Sequence, residues 1–139
     1  MLTLEEDYKP ITMQDLIDES VEIIKGVVKD AYHLMGRIAG VKTLPKIYIH
    51  QDMNVDRDMA SYLPGRNIIV LNAIELQNKG AEKVAFVLAH ELYHHKQYED
   101  GERFDNYVTP GMGKEEYKNQ RIEREANEFA ARLFPDVKY

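Results

Sequence analysis

Val84-Ala85-Phe86-Val87-Leu88-Ala89, followed at once by His90-Glu91-Leu92-Tyr93-His94, is the stretch that decides how this chain is read. The first six residues are apolar on every side of a helix, so a helix carrying them is buried around most of its circumference. The next five place two histidines at i and i+4, about 40° apart around the helix axis, with both imidazoles on one face. Two imidazoles and a carboxylate after a buried run are costly to dehydrate without partners, and a divalent cation satisfies them together. The order H-E-x-x-H is that of a zinc site in which Glu91, beside the first ligand, acts as general base toward water at the open metal position. A helix is predicted from Lys83 to about Tyr98, stopped by Asp100-Gly101.

Catalytic zinc takes three protein ligands and a water, so a third ligand is needed beyond His90 and His94. The last helix, predicted from about Lys114 to Phe134 and ended by Pro135, offers Glu123, Glu125 and Glu128. Its apolar stripe is Ile122, Ala126, Phe129, Ala130 and Leu133. With Glu123 as zero of angle, that stripe covers about 240° to 340°, with Phe134 near about 20°. Glu123 and Asn127 sit at its edge, facing inward. Glu125 and Glu128 fall near about 200° and 140°, among Arg121, Arg124 and Arg132, where they suit solvated ion pairs. Glu123 is therefore the expected third ligand. Asn127, one turn on, is expected to hydrogen-bond the outer nitrogen of a ligand histidine and fix its tautomer.

Upstream of this pair, Thr12 and Asp15 form a capping box opening a helix whose stripe reads Leu16, Ile17, Ile23, Ile24, Val27, Val28, Ala31 and Leu34. Gly36 and Gly40 mark its end. Lys46 to His50 alternates like a strand, and Met59–Leu63 and Asn67–Leu71 flank Pro64-Gly65, a dipeptide suited to the centre of a type II turn. Asn72 to Lys79 reads as loop or short helix, and Asn106 to Gly113 as a loop. The expected architecture is α+β: an N-terminal helix, a small antiparallel or mixed sheet, the motif helix and a C-terminal ligand-bearing helix. It is read as one zincin-like domain over residues 1–139, with 1–10 loosely ordered.

Composition narrows the function classes. The 139 residues suit one domain with one core, and 44% apolar with 30% charged residues is the balance of a globular chain. A net charge of −6, with the basic residues scattered among acids, argues against binding nucleic acid directly. There is no cysteine, so a disulfide framework is excluded and any metal must be held by nitrogen and oxygen. The start, Met1 to Asp7, lacks the basic and apolar parts of a signal peptide, and the apolar run Val84 to Ala89 is too short to span a bilayer. No membrane association and cytoplasmic residence are expected.

His90-Glu91-Leu92-Tyr93-His94, followed by Glu123-Arg124-Glu125-Ala126-Asn127-Glu128-Phe129-Ala130-Ala131 and Leu133-Phe134-Pro135, resembles the ImmA/IrrE-type metallopeptidases over roughly residues 65 to 135. Their pattern is H-E-x-x-H, then E-x-x-A-N/D-x-F-A-A with a closing Pro. The resemblance implies a gluzincin arrangement, with His90, His94 and Glu123 as Zn2+ ligands and Glu91 as base. It also implies cleavage of a regulatory protein such as the transcriptional repressor of a mobile element or stress regulon. The chain departs from the family at His95-Lys96-Gln97-Tyr98, where most members are apolar, and at Phe134. No helix-turn-helix segment is evident, so any link to DNA runs through a partner.

The remaining polar residues are weaker candidates. His95 lies about 100° from His94 and suits the surface or a supporting role rather than ligation. Tyr98 suits packing at the helix end, and His33 and His50 structural or exposed positions. Tyr93, Tyr107, Tyr117 and Arg121 are all nominal donors to a developing oxyanion. The strand Asn67 to Leu71 is either a buried sheet strand or one that also pairs with an extended substrate. The leading function is a zinc-dependent endopeptidase acting on a protein or peptide; the alternative is a zinc-stabilised module that sequesters a repressor without cutting it.

Overall fold

The computed structural model describes residues 9–52, 58–104 and 120–138. Helix α1 spans Met13–Ala39. It opens on the expected capping box: the Thr12 hydroxyl accepts from the Asp15 amide at 3.1 Å, and the Asp15 carboxylate accepts from the Thr12 amide at 2.9 Å. It closes on Gly40, whose φ of 79° lets the Gly40 and Val41 amides both reach the Gly36 carbonyl, at 3.0 and 3.2 Å.

The buried face of α1 differs from the sequence reading. It runs through Ile17, Val21, Ile24, Val27, Tyr32, Met35 and Ala39, while Leu34 is 52% exposed. A straight helix drifts by about 20° per seven residues, so a seven-residue step from Val27 lands on Leu34 while the true stripe has moved to Met35. Tyr32 can be buried because its hydroxyl donates to the Pro45 carbonyl at 2.8 Å.

Strands β1 (Lys46–His50), β2 (Ala60–Leu63) and β3 (Ile68–Asn72) form a mixed sheet in the order β1-β3-β2. The β2–β3 hairpin turns as expected: Gly65 takes φ of 81° and the Arg66 amide donates to the Leu63 carbonyl at 3.2 Å, the closing bond of a type II turn. β3 then returns along β1, so that pair is parallel, with Tyr48 opposite Val70, while Tyr62 opposes Ile69 across the antiparallel pair. After β3 the buried Asn72 side chain accepts from the Ile74 and Glu75 amides, and turns rather than a helix follow. Ser20 of α1 donates to the Ala73 carbonyl at 2.7 Å, tying that turn to the first helix.

Helix α2 (Ala81–Glu99) is the motif helix, and it packs against α1, β2, β3 and the last helix. Its run Val84 to Ala89 is buried throughout, joined in one core by Ile24, Met35, Ile69, Leu71, Phe129 and Ala130. Asp100 and Gly101, the latter at φ of 109°, end it as predicted. Helix α3 spans Arg121–Leu133, shorter than expected. Gln120 is extended, with φ of −67° and ψ of 147°, so no helix continues back through it; the expected start at Lys114 lies outside the described residues, as does the loop from Asn106 to Gly113. Among the described residues, three helices and a three-stranded mixed sheet make an α+β fold. No helix among the described residues is long and apolar enough to cross a membrane.

Gly40 closes α1 in the left-handed region, where an L side chain is disfavoured. Gly40→Ala forces an L side chain into the left-handed region and should lower stability by about 1–2 kcal/mol, read as a reduced urea midpoint with an unchanged slope.

Candidate functional site

The site is built where α2 and α3 pack together. Their closeness follows from residue size: Ala126 and Ala130 are wholly buried and let α3 approach α2, while Phe129 stacks on Tyr93 of α2 with ring centroids 5.0 Å apart. That approach delivers Glu123 to the histidine face. Its side chain is 0% exposed, with Oε2 at 2.9 Å from His90 Nε2 and Oε1 at 3.0 Å from His94 Nε2. The two Nε2 atoms are 3.1 Å apart, their rings edge-on at 87°. The ligand-type atoms of His90, Glu91 and His94 all lie within 4.8 Å of one another.

Electrostatics set the protonation preferences of this cluster. Burial alone would raise the Glu123 carboxyl, but the hydrogen bonds and charge of His90 and His94 overturn it and hold the group far below the usual carboxylate range. For His94, burial opposes the charged form, yet the bond to Glu123 and the charges of Glu91 and Glu123 prevail and raise its pKa. Glu91 is pushed up by burial, against the lowering effect of His94 and His90 and with a further rise from Glu123 and Asp58. The cluster thus favours positive charge between the imidazoles and the Glu123 carboxylate.

A divalent metal fits that preference. Zinc held tetrahedrally at about 2.0–2.1 Å has ligand atoms about 3.3 Å apart. The two nitrogens, 3.1 Å apart, come within a few tenths of that spacing, and each has one Glu123 oxygen beside it, Oε2 at 2.9 Å from His90 and Oε1 at 3.0 Å from His94. Two nitrogens and one carboxylate are also the donor set that borderline cations such as zinc accept.

A peptidase family model described as the IrrE N-terminal-like domain matches residues 45–136. The chain belongs to this family. The IrrE-like match reaches back to β1, further than the motifs alone carry the resemblance, and takes in the whole sheet, α2 and α3. Neither the curated proteins nor the solved structures yield a match to the chain.

Within this IrrE-like site several residues fall elsewhere than the sequence suggests. Asn127 makes no hydrogen bond to either histidine among the described residues; the outer nitrogen of His94 is taken instead by Gln97 Oε1 at 2.8 Å. Gln97 stands three residues after His94 and seven after His90, so helical periodicity alone puts it on the same face as both. Its polar side chain on an otherwise buried face was the signal that could have found it. Glu125 does face Arg121, at 3.2 Å, but it also accepts from Gln97 Nε2 at 3.0 Å. Of the nominal oxyanion donors, Tyr93 packs on Phe129, Arg121 is exposed and pairs with Glu102 and Glu125, and Tyr107 and Tyr117 lie outside the described residues. β3 is the central strand, so the expectation that it pairs with a substrate is overturned by β1 and β2 on either side of it.

His95 is neither ligand nor surface residue. It is 4% exposed and braces the motif helix against two other elements. Its Nδ1 meets the Tyr62 hydroxyl of β2 at 2.9 Å; its Nε2 lies 3.1 Å from Thr43 Oγ1 and 3.2 Å from Glu99. Burial, followed by the charges of Tyr98 and Glu99, pushes the Tyr62 hydroxyl up to about 12, so it stays protonated. Phe104, at φ of 61°, lays its ring edge-on to His94 at 5.8 Å and tilted against Tyr62 at 6.4 Å. A bulky residue in the left-handed region is unusual and costs about 1–2 kcal/mol, which these two aromatic contacts help to offset.

Glu99 closes the brace by accepting from the Lys42 and Thr43 amides at 2.8 and 3.1 Å. Burial would raise its carboxyl, but those two amides, His95 and the Thr43 hydroxyl together lower it. A group lowered on folding stabilises above the ordinary carboxylate range, and that stabilisation is lost as pH falls through the lowered value. Glu99→Gln should cost about 1–2 kcal/mol at neutral pH. The gap to the wild type should shrink steadily below about pH 4, as urea denaturation over a pH series would show.

Proposed function

We propose that the protein is a zinc-dependent endopeptidase in which His90, His94 and Glu123 hold the metal and Glu91 is the general base. The observation that carries this reading is the Glu123 carboxylate, fully buried with one oxygen against each of two imidazoles that themselves converge at 3.1 Å. A buried carboxylate so arranged suits a cation shared by all three side chains. When bound, the metal supplies Lewis acidity, acidifying water and polarising a carbonyl.

The chain's own residues supply the rest. Glu91 is buried beside the two histidines, and burial raises its carboxyl above its ordinary value, which makes it a stronger base once ionised. It accepts the proton of the attacking water and passes it to the leaving amine, so the two protonation states are used in turn. Glu123 stays ionised and holds both imidazoles in place. Among the described residues β2 is paired on one side only, and it packs on α2 beside the site. An extended substrate segment would add to that free edge. A substrate held this way is an unstructured stretch of a cytoplasmic regulatory protein, such as the repressor of a mobile element, in keeping with the resemblance of its two motifs.

Two substitutions separate metal binding from cleavage. Glu123→Gln should weaken zinc binding strongly and abolish activity, while Glu125→Gln, which alters a group 39% exposed, should leave zinc binding nearly intact in competition with a chromophoric chelator. Glu91→Gln should keep zinc and fold but lower cleavage of the partner repressor by about 10²–10⁴-fold. If Glu91→Gln retains the full effect on its target, sequestration without cleavage becomes the better account.

A further inference from the structure

We propose that Gln97 is the positioning residue that fixes the tautomer of His94 and thereby sets how tightly the site holds its metal; the inference rests on the metal-site reading above.

The argument begins with the two ends of one amide. Gln97 Nε2 lies 3.0 Å from the Ile122 carbonyl oxygen and 3.0 Å from Glu125 Oε1. Both of those atoms only accept hydrogen bonds, so the end of the amide facing them must be the NH2 group. The opposite rotamer would press an oxygen against two oxygens inside a buried pocket. The Gln97 oxygen therefore faces His94 Nδ1 at 2.8 Å, and an oxygen there requires Nδ1 to carry a proton. With the proton fixed on Nδ1, the Nε2 lone pair of neutral His94 points toward His90 and Glu123, where a metal needs it.

The partner is also chemically distinctive. Outer nitrogens of ligand histidines usually donate to a carboxylate, a backbone carbonyl or water. An amide oxygen is a weaker acceptor than a carboxylate, so it orients the ring while raising the basicity of the imidazole less than a carboxylate in its place would. The same amide spans two helices, because Ile122 and Glu125 belong to α3, which also carries Glu123. Gln97 thus sets the orientation of one proposed ligand and holds the helix that delivers another.

Three proteins and two readouts test this. Zinc affinity is measured by chelator competition for the wild type, for Gln97→Leu, and for the double variant Gln97→Glu with Glu125→Gln. Melting of each metal-free protein is followed in parallel. Gln97→Leu removes the acceptor and should weaken zinc by about 10–100-fold. The double variant keeps an acceptor at Nδ1, reverses the bond to position 125 and leaves the Ile122 carbonyl without its donor. It should melt lower than the wild type yet hold zinc at least as tightly. Equal zinc affinity in Gln97→Leu and wild type overturns the proposal, as does a double variant that loses zinc as badly as Gln97→Leu. The second readout is nitrogen NMR of ring-labelled, metal-free wild type, which should show a slowly exchanging proton on His94 Nδ1; its absence also overturns the proposal. A wild type that carries this proton but binds no zinc sinks the metal-site reading and leaves the role of Gln97 in orienting His94 standing.

Discussion

A carboxylate with no access to water, wedged between two imidazoles, is the interaction on which the arrangement of this molecule depends. Removing an ion from water costs several kcal/mol unless its lone pairs are met by donors or cations. His90 and His94, both within 3.0 Å of Glu123, help to make its burial tolerable. They are that near because alanines, not larger residues, separate the two helix axes at Ala126 and Ala130. Side-chain volume on α3, the geometry of the buried cluster and its electrostatics are one constraint seen from three sides.

A second layer of bonds keeps the motif helix from moving relative to the sheet. His95, adjacent in sequence to a site residue yet turned away from it, reaches β2 through Tyr62 and the α1–β1 connection through Thr43 and Glu99. The two consecutive histidines therefore divide the work: one faces the reactive cluster, the other anchors the helix that carries it. Two buried polar rings side by side each need their own set of partners. Here both sets are present, and the helix is held on two neighbouring faces, about 100° apart, by different networks.

How much of this was legible beforehand depended on the range of the interaction. The capping box of Thr12 and Asp15, the type II turn at Pro64-Gly65 and the stop at Gly101 are local, each written in adjacent residues, and the structure has them. The inward position of Glu123 was legible from the angular position of an apolar stripe on one short helix. Leu34 shows where that reasoning loses accuracy, since angular drift accumulates along a helix of 27 residues. The parallel pairing of β1 with β3, the selection of Gln97 rather than Asn127 and the burial of His95 could not be read this way. Each depends on which distant segment lies alongside, and a helical wheel carries no information about neighbours. Gln97 and Asn127 are both amides one turn from a site residue, and only the packing of α2 on α3 distinguishes them.

The ion pair between Glu102 and Arg121 bears on how such a protein can diversify. These residues stand just after α2 and at the first position of α3, so the pair brings together the two ends of the connection between the site's two helices. With both ends held, doubling the length of the connection adds only about 0.6 kcal/mol of closure entropy. Where such a connection is flexible, changes of length beyond Phe104, whose ring packs on His94, therefore carry little thermodynamic penalty to the helices themselves. Relatives that share the two helices would then be expected to differ most in that interval, and selection for different targets could act there while leaving the reactive cluster unchanged.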